Sequence, residues 1–181
     1  MTGKGRLPGD PPLESVVERI VRVDHAGEYG AVRIYTGQLA VLGGGRHGDT
    51  LRHMLSQEEA HLRAFDALAA DRQVRKTALL PLWHLAGFAL GAVTAAMGER
   101  AAMACTVAVE EAIDEHYAGQ VEALGEDEPE LRAALEKFRE EELEHRDIGL
   151  ANEAELTPGY RLLSAAIKTG CKIAIAVSER I

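Results

Sequence analysis

The sequence predicts an all-α fold: a four-helix bundle with two additional helices, one apolar and one amphipathic. Three observations lead there. Ala, Leu and Glu dominate while only three Phe, four Tyr and one Trp occur, a balance that favours helix over sheet. Glycine and proline divide the chain into six stretches of helical periodicity. One of those stretches is repeated, without gaps, in the second half of the chain.

Residues 1–12 are rich in Gly and Pro and lack an apolar core, so they are expected to be a disordered lead-in and no secretory signal. Residues 13–181 are expected to form one domain, a length sufficient for one sizeable core. The first helix should run from Leu13 to Leu42, where Gly43, Gly44 and Gly45 stop it. Asp49 or Thr50 is placed to cap the second, which ends near Val74. Thr77 and Pro81 open the third helix, and Gly98 separates it from the fourth, which reaches Leu124. The fifth continues to about Ala151, and Thr157 with Pro158 reads as the cap and first turn of a sixth.

Aligning Glu28 with Glu110 brings Tyr35, Gly37, Gln38 and Leu42 onto Tyr117, Gly119, Gln120 and Leu124. Each of these helices is followed, at nearly the same distance, by a Glu-x-x-His: Glu58 with His61, and Glu142 with His145. The chain therefore reads as a duplicated helical hairpin. Steps of three and four residues place Glu58 and His61 in one stripe with Met54, Phe65 and Leu68. The same steps join Glu142 and His145 to Leu135, Phe138 and Gly149. Glu28 lies in line with Val21, Ala31 and Tyr35, and Glu110 with Met103, Val107, Ile113 and Tyr117.

Four carboxylates thus face an apolar interior, and no Lys or Arg shares their stripes. Such charges are strongly disfavoured unless they are paired or bind a metal. Two divalent cations would neutralise them. One Glu from each of two helices, with a Glu-x-x-His from each of the other two, is the ligand pattern of ferritin-like di-iron and di-manganese bundles. Hard carboxylate oxygens with one imidazole per ion suit iron or manganese, and the pattern does not choose between them. A single Glu-x-x-His is a weak sign in a chain this rich in Glu; two in the same core phase, each preceded by an aligned Glu, are a strong one.

The neighbouring residues carry less. Glu59, Glu111, Glu141 and Glu144 are expected to face solvent or flank the site, because adjacent helical positions diverge by about 100°. His25 reads as a packed or capping histidine. Tyr35, Tyr117 and His116 are either hydrogen-bond partners of the site or ordinary buried side chains. Cys105 and Cys171 form neither a C-x-x-C motif nor a secreted disulfide framework, and read as small core residues.

The net charge of -9 and the absence of a Lys and Arg cluster argue against a nucleic-acid surface. The charge-free segment ALLPLWHLAGFALGAVTAAMG, over 78–98, approaches the length of a bilayer span. A span there would put the two metal-binding hairpins on opposite sides of the membrane, so an interfacial or buried helix is expected instead. The last helix mixes Leu162, Leu163, Ile167, Ile173 and Val177 with Arg161, Lys168, Lys172 and Arg180, a composition suited to a membrane surface. The alternative is that both helices pack on the bundle or on another copy in a homo-oligomer.

Five stretches then carry a family resemblance: RVDHAGEYGA at 22–31, EEAHL at 58–62, PLWHLAGFALGA at 81–92, AMACTVAVEEAIDEHY at 102–117 and FREEELEHRDIGL at 138–150. With them the chain resembles the demethoxyubiquinone hydroxylases, di-iron monooxygenases of aerobic ubiquinone biosynthesis. The resemblance implies that Glu28, Glu58, His61, Glu110, Glu142 and His145 are iron ligands, and that Tyr117 and His116 stand near the site as catalytic candidates. It implies hydroxylation of a polyprenylated 6-methoxy-3-methyl-benzoquinol by dioxygen, NADH as reductant, and a lipid-binding companion that presents the substrate. Without an Arg-rich transit peptide, the expected location is peripheral, on the cytoplasmic face of a bacterial inner membrane. The competing reading on the same bundle is a ferroxidase or iron-handling protein.

Overall fold

The structure, a computed structural model, describes residues 9–181. The expected disordered lead-in falls mainly on residues 1–8, outside the described residues. Six α-helices follow: α1 (Leu13–Leu42), α2 (Gly48–Asp71), α3 (Leu80–Ala96), α4 (Glu99–Leu124), α5 (Pro129–Ala151) and α6 (Tyr160–Ser178). A single 3₁₀ turn, Ala154–Leu156, precedes the last helix, and no strand occurs among the described residues. The all-α, ferritin-like architecture with two extra helices is the one expected.

The hairpin α1–α2 reverses at the three glycines, where the Gly43 amide closes on Leu39 O at 2.9 Å. Its inward face alternates Val17, Ile20, Val21, Asp24, Glu28, Ala31, Ile34, Tyr35 and Gln38, all buried at helical spacing. The hairpin α4–α5 repeats the design, with Met103, Val107, Glu110, Tyr117, Leu124 facing Leu135, Phe138, Glu142 and His145. A large apolar cluster, including Val17, Phe65, Tyr117, Leu124, Leu135 and Phe138, fills one end of the bundle. A second, with Tyr35, Leu51, Met54, Met103 and Val107, fills the other. The acids and imidazoles lie between the two.

Helix α3 lies along α1, and the pairing of Gly87 with Gly30, Gly91 with Ile34 and Gly37 with Phe88 shows that the two run in parallel. The approach is backbone on backbone: a Cβ on Gly91 would overlap the Ile34 carbonyl, and one on Gly37 the Phe88 carbonyl. Helix α6 lies along α4 in the same sense, Lys168 pairing with Glu111 and Lys172 with Glu115. Each half of the chain is therefore a hairpin plus a third helix laid parallel to its first, so the internal repeat extends further than the hairpins alone.

Three expected caps are absent. Asp49 pairs with Arg52 at 2.7 Å and leaves the start of α2 uncapped by a side chain. Thr157 does not cap α6 either, because the 3₁₀ turn delays that helix to Tyr160, behind Gly159 in a left-handed conformation. Thr77 does not cap α3: its hydroxyl accepts from the Leu79 amide at 3.2 Å in a turn before the helix, whose own start carries no side-chain cap.

The glycine contacts make a prediction. Gly91→Ala should lower stability by about 1–3 kcal/mol through overpacking against rigid backbone, read as a lower midpoint in urea unfolding, whereas Gly170→Ala, where added bulk meets nothing within 4 Å, should not destabilise.

Candidate metal centre

Glu28, Glu58, His61, Glu110, Glu142 and His145 meet at the centre of the bundle, each no more than 1% exposed. They form two groups. Glu28, Glu58, His61 and Glu142 offer donor atoms within 4.8 Å of one another, and so do Glu58, Glu110, Glu142 and His145. Glu58 and Glu142 belong to both, so they stand between the two groups. Glu28 with His61 closes one end and Glu110 with His145 the other.

The imidazoles face the centre through Nδ1. His61 Nδ1 stands 3.2 Å from Glu142 Oε1 and 3.5 Å from Glu28 Oε2. His145 Nδ1 stands 3.1 Å from Glu58 Oε1 and 3.3 Å from Glu142 Oε2. These spacings lack the alignment of hydrogen bonds: both Nδ1 atoms, both oxygens of Glu58 and Glu142, and Oε2 of Glu28 and of Glu110 have no hydrogen-bond partner. Buried polar atoms left so are costly. Donors bound at right angles to one ion at about 2.1 Å stand ~3 Å apart, close to the distances seen. The residues present therefore fit a pair of cations.

Electrostatics gives the same answer. Burial drives the carboxyls of Glu58 and Glu110 well above their ordinary value of 4.5, and the neighbouring carboxylates push the same way. Burial also raises Glu28, against the opposing pull of His61. For Glu142 burial again disfavours the charge, but flanking His145 and His61 outweigh it and hold the group down to about 2. Burial disfavours a charged His61, yet Glu142 and Glu28 outweigh that and lift it to about 12. His145 is raised by Glu142 and Glu110 in the same way, against burial. Without cations, the cluster collects protons as substitutes.

Around the centre, Tyr35 Oη donates to Glu110 Oε1 at 2.7 Å, and Tyr117 Oη donates to Glu28 Oε1. Burial, reinforced by these carboxylates, pushes both phenols far up, so they remain donors. Each tyrosine leaves the Oε2 of its partner pointing inward. His116 does not face the cluster. Its Nε2 lies 2.8 Å from Gln120 Nε2 and 3.3 Å from Asp24 Oδ1, beside a cavity of about 260 Å³ that opens among α1, α4 and Glu179. His25 is packed, as expected, with Nε2 2.9 Å from Asp66 Oδ1. Cys105 is buried and Cys171 partly so.

Two contacts were not foreseen. Glu141, expected at the surface or flank, reaches His61 Nε2 at 2.5 Å, and Gln57 Oε1 reaches His145 Nε2 at 3.0 Å. Each comes from the residue just before a cluster Glu and crosses to the other helix. Periodicity within one helix points such residues away from the core; only their position beside a Glu-x-x-His on the facing helix hints at the contact.

A duplicated helical hairpin enclosing two such groups defines the ferritin-like carboxylate-bridged class. Within that class, the family described as ubiquinone biosynthesis protein COQ7 matches residues 15–178, and the chain belongs to it. The 3-demethoxyubiquinol 3-hydroxylase of Rhodospirillum rubrum is 61% identical over 181 residues, covering 99% of this chain and 85% of that protein. The mitochondrial NADPH-dependent 3-demethoxyubiquinone 3-hydroxylase of Homo sapiens is 53% identical over 171 residues, covering 92% and 79%. The mitochondrial 5-demethoxyubiquinone hydroxylase of Saccharomyces cerevisiae is 38% identical, covering 91% and 78%.

The raised carboxyls set a pH dependence. In the window above pH 4.5, the ordinary carboxyl value from which burial raises Glu58 and Glu110, the metal-free fold holds more protons on these groups than the unfolded chain does. Stability must then fall as pH rises through that window. Thermal melts of chelated protein should show a lower midpoint at pH 8 than at pH 5, and Mn²⁺ should restore more stability at pH 8; a pH-independent midpoint would contradict the cluster's electrostatics.

Proposed function

We propose that this protein is a membrane-associated di-iron monooxygenase that hydroxylates the ring of a polyprenylated 6-methoxy-3-methyl-benzoquinol, demethoxyubiquinol, in ubiquinone biosynthesis. The observation that carries the reading is the pair of buried donor groups sharing Glu58 and Glu142, in a chain of this family. Glu28, Glu58, His61, Glu110, Glu142 and His145 would hold the two iron ions. Iron held there would supply the activation of dioxygen, so that one oxygen atom enters a ring C–H bond and the other leaves as water, with electrons from a nicotinamide such as NADH.

The chain's own residues define the rest. Tyr35 and Tyr117 fix the outer carboxylates through hydrogen bonds, leaving one oxygen of each directed at a cation. Met54, Phe65, Met103 and Leu135 are fully buried around the cluster and keep water from it. The Phe138 ring lies tilted against His61, with centroids 4.3 Å apart, and limits its rotation. Tyr117 is the catalytic candidate in contact with the cluster, whereas His116 acts only through Asp24 and Gln120.

Among the described residues, no helix is long and apolar enough to cross a membrane. Helix α3 has only 17 residues, fewer than the charge-free stretch of sequence that contains it. It exposes Leu82, Leu85 and Val93, with Met97 exposed just past its end, while α6 exposes Leu162 and Ile173. Lys168 and Lys172, which the sequence offered to a membrane surface, instead pair with Glu111 and Glu115 of α4. Apolar contact is therefore what favours a peripheral seat, at the cytoplasmic face of a bacterial inner membrane, with a lipid-binding companion or a second copy as the other partners for these faces.

Two outcomes test the proposal. In an aerobic strain lacking its own hydroxylase, the wild-type gene should turn accumulated demethoxy precursor into ubiquinone, followed by quinone mass spectrometry, while Glu110→Ala and His145→Ala should neither retain iron nor convert it. Iron oxidation with an unchanged quinone pool would favour a ferroxidase. Purified protein should float with neutral as well as anionic liposomes and stay bound in high salt, whereas Leu85→Glu combined with Leu162→Glu should remain folded and sediment free.

A further inference from the structure

Laying one half of the sequence on the other, Glu28 on Glu110 and Glu58 on Glu142, gives the contacts around the cluster their counterparts. Tyr117 of the second half donates to Glu28 of the first, and Tyr35 of the first donates to Glu110 of the second. Gln38 Nε2 reaches Thr106 Oγ1 at 3.4 Å, and Gln120 Nε2 reaches Asp24 Oδ1 at 2.7 Å; in the alignment Asp24 is the counterpart of Thr106. His61 Nε2 meets Glu141 and His145 Nε2 meets Gln57, and Glu141 is the counterpart of Gln57. At both positions an acid stands on the Glu28–His61 side where a neutral side chain stands on the other.

The outer contacts fix the tautomers. A carboxylate only accepts, so Glu141 holds a proton at His61 Nε2, and Nδ1, facing the cluster, is the nitrogen that would give up its proton to a cation; Gln57, accepting through Oε1, does the same for His145. They differ in strength. A hydrogen bond to an anion makes the imidazole a stronger donor than one to an amide. Lys137 Nζ lies 3.7 Å from Glu141 Oε1, but it is largely exposed, so solvent screening leaves most of the carboxylate charge in force.

We propose that the two cation positions are inequivalent, and that Glu141 is the positioning residue that makes the position beside Glu28 and His61 fill first. The inference rests on the reading that the six cluster residues hold two cations. Asp24, buried behind Gln120 with Oδ2 unpartnered, is a second acid on the same side, though burial raises its carboxyl against the pull of His116.

Anaerobic addition of one equivalent of ⁵⁷Fe²⁺ to the metal-free full-length protein tests it by Mössbauer spectroscopy. Wild type should show one dominant quadrupole doublet, and a second equivalent should add a different one. Glu141→Gln, which removes the charge and keeps an acceptor, should weaken the first ion by roughly ten- to a hundredfold and split one equivalent between two doublets. Gln57→Glu should likewise even the two positions, by strengthening the other. Two doublets of equal area in wild type, or a distribution unchanged in both variants, would overturn the inference while leaving the di-cation reading intact. No iron uptake by wild type would overturn that reading and this inference together.

Discussion

Four carboxylates buried within a few ångströms of one another cannot all be charged unless something positive lies among them. The rest of the structure is arranged around that constraint. Among the described residues no Lys or Arg enters the cluster; the nearby cationic side chains are two imidazoles, and both turn Nδ1 inward. The tyrosines neutralise nothing, but they take up the outer oxygens of Glu28 and Glu110, so the inward oxygens alone remain unsatisfied. A bundle made this way is poised between two ways of closing its electrostatic balance, protons or metal, and metal satisfies more of the orphaned atoms.

The duplication supplies the geometry. Two copies of a hairpin, each bringing a Glu and a Glu-x-x-His, enclose a centre that neither half contains alone. The supporting contacts cross between halves: each tyrosine serves the other half's glutamate, and each residue before a cluster Glu serves the other half's histidine. The halves are thereby tied to each other through the site as well as through the core. The third helix of each half, parallel to its first, covers the outer side of the α1 and α4 pair.

Much of this was legible in the sequence because helical periodicity is strict over long stretches. The bounds of α1 and the end of α4 follow from Gly43 and Gly125, and the six cluster residues follow from their phase with Met54, Phe65, Leu135 and Phe138. What escaped was what depends on a second helix. Glu141 sits off the inward stripe of its own helix, yet its side chain is long enough to reach a histidine across the bundle. Lys168 and Lys172 read as a basic face until α6 is laid beside α4, where Glu111 and Glu115 are waiting. The misplaced cap at Thr157 has a local cause: the 3₁₀ turn shifts the start of α6, and a Thr-Pro pair gives no sign of it.

The glycine seam between α3 and α1 has one further effect. Side-chain packing can absorb a small displacement by changing rotamers, but backbone resting on backbone cannot. Helix α1 is held by that rigid joint on its outer side and carries Glu28 and Tyr35 on its inner side. A load applied to α3, whatever it rests against, is thus transmitted to the carboxylates as a movement of the whole rod, which makes the seating of the outer helix and the spacing of the centre mechanically one variable.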